Sequence, residues 1–64
     1  MHADQVEVSW DEAKSQWLVR IEAGEEVIRR HCALARNVDE PTLRAAIERT
    51  VADEGYEGAP IVRR

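Results

Sequence analysis

The softest donor atoms in this 64-residue chain belong to His2, His31 and Cys32, and any metal or nucleophilic chemistry would begin there. A structural zinc site draws four ligands from Cys and His at pairwise spacings such as C-x-x-C or H-x(3–5)-H. These three residues make no such spacing. His31 and Cys32 are adjacent, and on a strand neighbours point to opposite faces, so they cannot share an ion or act as nucleophile and base. Cys32 therefore reads as a small core residue. Thirteen Asp and Glu offer acid–base candidates, but that chemistry needs a partly dry concave pocket, and a chain this short has little volume in which to build one. Gly24, Gly55 and Gly58 form neither G-x-G-x-x-G nor G-x-x-x-x-G-K, so no phosphate cradle is predicted. The residues predict no catalytic, cofactor-binding or metal site.

Charge narrows the partners. The net charge is −4 and the sign varies along the chain. Seven acids against Lys14 and Arg20 make residues 1–28 acidic, Arg29, Arg30 and Arg36 make a short basic stripe, and the chain ends on Arg63-Arg64. Nucleic-acid affinity rests mainly on summed phosphate neutralisation, so an acidic molecule with one basic stripe is a poor general polyanion binder. A localised contact through Arg29, Arg30 and Arg36 is the second functional reading. RNA-binding sheets set aromatics beside their cations, and no aromatic falls on the face that carries Arg29.

The elements that must position these groups follow from periodicity. Val6, Val8 and Trp10 alternate with polar residues, and Trp17, Val19, Ile21 and Ala23 do the same, which predicts two antiparallel strands joined across the polar stretch 11–16. Both tryptophans then lie on the buried face as a cross-strand pair. Residues 25–36 read either as a third strand after a turn at Gly24 or as a helix capped by Gly24. Because a lone hairpin is marginal in water, the strand is preferred, with Ile28, Cys32 and Leu34 on one face and Arg30 an exception among them. Asp39 is a helix N-cap, Pro41 sits in the first turn, and Val38 and Leu43 form a hydrophobic staple. Leu43, Ala46, Ile47, Thr50 and Val51 give the apolar stripe, with Gly55 as an αL terminator. The pairs Glu40 with Arg44, Arg44 with Glu48 and Arg49 with Asp53 fall on the helix's outer side. The sequence thus predicts one α+β domain over 1–64: a three-stranded antiparallel meander followed by an amphipathic helix on one face, ordered over about 5–55. The alternative is a hairpin followed by two helices. Residues 56–64 read as a frayed tail in preference to a short strand at a sheet edge.

Length sets the energetics. A stability of roughly 0.05–0.15 kcal/mol per residue amounts to about 3–10 kcal/mol here, and domains this small often need disulfides, metal or self-association to reach it. One cysteine closes no intramolecular disulfide. The expected remedy is a homodimer. Leu18, Arg20, Val27, Arg29, His31 and Ala33 fall on the sheet face that the single helix leaves uncovered, and an apolar centre rimmed by charge is the anatomy of an interface. No apolar run approaches the roughly 18–20 residues needed to cross a bilayer, and the polar start Met1-His2-Ala3-Asp4 is unlike a signal peptide. The expected compartment is the cytoplasm.

Trp17-Leu-Val-Arg-Ile, Gly24, the stretch from Val27 to Ala35, and Asp39-Glu-Pro-Thr-Leu-Arg-Ala-Ala-Ile-Glu together resemble the strand, strand, strand, helix pattern of HicB-type antitoxin N-terminal domains and of similar short bacterial families. The resemblance spans residues 6–54. It implies a degraded ribonuclease H fold that masks a small toxin without catalysis of its own. The proline- and glycine-rich loop of those domains is absent between the second and third strands, as is an appended DNA-binding domain, so no functional residue carries over. The expected role is a non-catalytic protein-interaction module.

Overall fold

The computed structural model describes residues 2–63. Strands β1 (Gln5–Asp11), β2 (Gln16–Ala23) and β3 (Glu26–Cys32) form an antiparallel meander, followed by helix α1 (Glu40–Asp53) and strand β4 (Pro60–Arg63). The sheet order is β3-β2-β1-β4, with β4 parallel to β1. The α+β meander with one helix on one face is therefore as the sequence predicts, and residues 25–36 supply a strand rather than a second helix.

Alternation fixes the register. Val6 stands opposite Ile21, Val8 opposite Val19 and Trp10 opposite Trp17, so the apolar halves of both strands share one face. Leu43, Ile47 and Val51, one stripe of α1, close over that face, and these three with Val6, Val8, Trp17, Val19 and Ile21 are buried. Gly24, at φ +61°, opens the two-residue turn between β2 and β3, a position where a Cβ would be strained. Its amide donates to the Asp4 carboxylate at 2.6 Å.

The helix ends are built as the sequence indicates. The Asp39 carboxylate accepts from the Thr42 amide at 3.1 Å and from the Thr42 hydroxyl. At the other end Gly55 is left-handed at φ +82°. The Tyr56 amide donates to the Val51 carbonyl at 3.1 Å and the Gly55 amide to that of Ala52 at 2.9 Å, the paired closure of a Schellman motif. Of the three predicted ion pairs along the helix, Glu40 with Arg44 closes, at 3.9 Å.

The expected tail is a correction. Residues 60–63 form β4, which pairs Pro60 with Val6 and Val62 with Val8. A sequence of three strands leaves β1 as an edge, yet Val6 and Val8 are almost wholly inaccessible. Strand β4 removes that edge. Pro60 is the first residue of the strand, where its missing N–H is harmless, and it is buried. The chain start joins the same edge, since the Ala3 amide donates to the Glu57 carbonyl at 2.8 Å.

Candidate functional site

The face of the sheet away from α1 holds the side chains that the sequence singles out. Strand alternation places Glu7, Ser9 and Asp11 of β1, Leu18, Arg20 and Glu22 of β2, Val27, Arg29 and His31 of β3, and Ile61 of β4 on this side. Five of the six predicted interface residues are thus brought together. Ala33 is not, because β3 ends at Cys32 and Ala33 is exposed in the following loop.

The internal arrangement departs from the expected apolar centre. Arg20 lies in the middle and reaches Glu22 at 3.2 Å and Glu7 at 3.8 Å. Its Nε is shut off from solvent and has no acceptor, so its two Nη groups make the contacts. The apolar members stand around this cluster. Val27 and Ile61, at opposite edges, are the exposed large hydrophobic residues among those described, 39% and 48% accessible, while Leu18 is half-buried. The centre is ionic because the register puts Glu7 across from Arg20, and β1, β2 and β3 each contribute one charge to that row, which ends on Ile61 of β4.

Two further pairings decide the electrostatics. His31 Nε2 meets the Asp11 carboxylate at 3.2 Å across the intervening strand β2. That hydrogen bond holds the Asp11 carboxyl below its ordinary value of 3.8, with the turn amides of Lys14 and Ala13 adding to it and partial desolvation opposing it. Arg29 stands directly opposite Arg20. Like charges across a strand pair are destabilising, and among the described residues no carboxylate lies within 4.0 Å of Arg29.

The arginines of the basic stripe do not share a surface. Arg30 turns to the helix side and pairs with Glu54 at the end of α1, where a cation also offsets the negative pole of the helix. Arg36 lies in the loop before α1 and meets Glu12 at 3.2 Å. Arg29 alone of the three is on the open face. Arg64 and the Arg63 side chain lie outside the described residues.

Cys32 is half-buried on the helix side with its Sγ 3.4 Å from the Thr50 hydroxyl, and His31 is on the opposite face, as their adjacency requires. Among the described residues no group of three His, Cys, Asp or Glu is placed to hold a metal ion. Among the described residues no helix is long and apolar enough to cross a membrane. No family model, curated protein or solved structure matches the chain.

Sequence reasoning misses the contributions of Asp11 and Ile61. Asp11 is legible only as a loop residue, since its reach to His31 depends on β2 lying between them. Ile61 is hidden in a segment too short for alternation to register.

Proposed function

We propose that this protein is a non-catalytic interaction module that self-associates through the open sheet face, and that it works in the cytoplasm. The observation that carries the reading is the charge row Glu7–Arg20–Arg29, with exposed Val27 on one edge strand, β3, and exposed Ile61 on the other, β4. A two-fold axis running along the strands between β1 and β2 lays β1 of each copy over β2 of the other. Glu7 then faces the second copy's Arg20, and Arg20 its Glu7. The same operation sets β3 over β4, bringing Val27 and Ile61 to the same margins of the contact. One patch serving both copies is the geometry of an isologous dimer, and aligned packing of two sheets tolerates their twist of about 30°. In the same row Arg29 comes to lie over the second copy's Ile61, beside that copy's Glu7. The masking role implied by the resemblance to HicB-type antitoxin domains would use this face against a different chain.

Sedimentation from micromolar to millimolar concentration tests the reading. Glu7→Arg sets like charges across the axis and Arg20→Glu does so with the opposite sign, so each variant alone is expected to be monomeric. Mixed, the two restore attraction in every intermolecular pair and form a heterodimer. Val27→Glu yields a folded monomer. A wild-type protein that stays monomeric throughout, or a mixture that does not associate, overturns the proposal.

A further inference from the structure

On the helix side of the sheet, at the end near the β1–β2 turn, a cavity of about 330 Å³ is lined by Trp10, Trp17, Arg36 and Asn37. Sequence reasoning treats both tryptophans as core. Trp17 meets that description: it is 1% accessible, and its indole N–H donates to the Ala35 carbonyl at 3.0 Å. Trp10 does not. It is half-buried, packs edge-on against Trp17 with ring centroids 5.4 Å apart and planes at 74°, and so presents ring surface to the cavity.

The polar groups of this cavity point to one chemistry. Trp10 Nε1–H donates to one oxygen of the Glu12 carboxylate at 2.9 Å, and Arg36 Nη1 donates to the other at 3.2 Å. Two wall residues on separate segments thus converge on a single carboxylate, which comes from a residue that is not itself part of the wall. Glu12 and Arg36 are largely exposed, 75% and 67%. An exposed pair of this kind is weak, so another carboxylate displaces Glu12 at little cost. The volume lies at the small end of the range for ligand sites, about 300–1,000 Å³, and admits one or two fused rings. A cation would also favour indole faces, but it would have to sit beside the Arg36 guanidinium.

We propose that this cavity binds a small aromatic monocarboxylate, its ring against Trp10 and its carboxylate on Trp10 Nε1 and Arg36, with Glu12 as a built-in competitor for the same two donors. Asn37 completes the lining. The site lies on the sheet face opposite the one used for association and does not depend on that reading.

Phenylacetate titrated into the nitrogen-15-labelled protein tests it, read on the two indole N–H signals. The expected result is a saturable shift of the Trp10 signal. The neutral isostere phenylacetamide binds at least about tenfold more weakly, a difference near 1.4 kcal/mol. Glu12→Gln, which removes the competing charge, tightens phenylacetate by about two- to fivefold, the worth of an exposed pair. Arg36→Gln weakens it by about tenfold or more. Both substitutions are at exposed positions away from the core, so folding is retained and the signals stay assignable. No saturable shift in the wild type or in Glu12→Gln overturns the proposal. So does equal binding of phenylacetate and phenylacetamide, which would leave an apolar cleft with no recognition of the carboxylate.

Discussion

At the scale of single residues, the two tryptophans show how similar sequence signals diverge in the fold. Both begin or end an alternating run, yet Trp17 is enclosed under the loop that precedes α1 while Trp10 is half-open. Trp17→Ala is expected to cost about 3–5 kcal/mol, the usual price of emptying a large core site, and to unfold much of the population. Trp10→Ala removes a partly exposed ring and costs about 1–2 kcal/mol. Urea unfolding followed by circular dichroism separates the two, and equal losses would contradict the burial difference. Asp11 carries a pH dependence. Its carboxyl is held down first by His31, so its contribution to stability is present above the ordinary aspartate value near 3.8 and is lost as pH falls through the lower folded value. His31→Ala should raise the Asp11 titration midpoint toward 3.8, read from carboxyl carbon-13 shifts. An unchanged midpoint would assign the effect to the amides of Lys14 and Ala13.

At the scale of elements, the parts legible in the sequence are those whose signal is local. Asp39, Pro41 and Gly55 mark the helix because caps act within one turn. The two long strands are legible because seven or eight residues of alternation outweigh noise. Residues 25–36 are ambiguous because Arg30 interrupts the apolar face of β3. The interruption is resolved by Glu54, which is 24 positions away and becomes a neighbour only once α1 is laid across the sheet. The same limit hides β4. Four residues beginning with proline carry no period, and their pairing with β1 closes a loop over almost the whole chain. Ending the chain at Ala59 exposes the edge above Val6 and Val8 and uncovers the area shielded by Pro60 and Val62, a loss of about 2–4 kcal/mol. Hydrogen exchange should quicken along β1 far more than along β3, the opposite edge. Uniform protection after truncation would mean that β4 adds little.

At the scale of the whole molecule, β4 changes the argument from size. The accessible surface is 4228 Å², against about 4200 Å² expected of a folded monomer of this mass. The radius of gyration is 10.9 Å, against about 10.7 Å for a compact chain of this length. The fourth strand thus supplies the closure that a three-stranded meander lacks, and the case for association rests on the charge geometry of the open face rather than on a shortage of core. Charge geometry also bears on polyanion binding. A basic stripe acts as one only if its members face the same phosphates, and here Arg29 and Arg30 lie on opposite sides of the sheet, Arg30 is paired with Glu54, and Arg36 sits apart from both in the loop before α1. Salt dependence measures how many phosphates a protein neutralises, with a slope of about −0.9 per contact on duplex DNA, and strong binders make roughly 6–10. Within the stripe only Arg29 stands on the open face, and one phosphate contact on a molecule of net charge −4 offers a slope near −1, too shallow for retention at physiological ionic strength, where the screening length is about 8 Å. The protein is therefore expected to pass a heparin column unretained at about 150 mM salt, with Arg29→Ala eluting at the same volume. Retention that Arg29→Ala abolishes while the oligomeric state is unchanged would reverse this conclusion and make the open face an anion-binding surface.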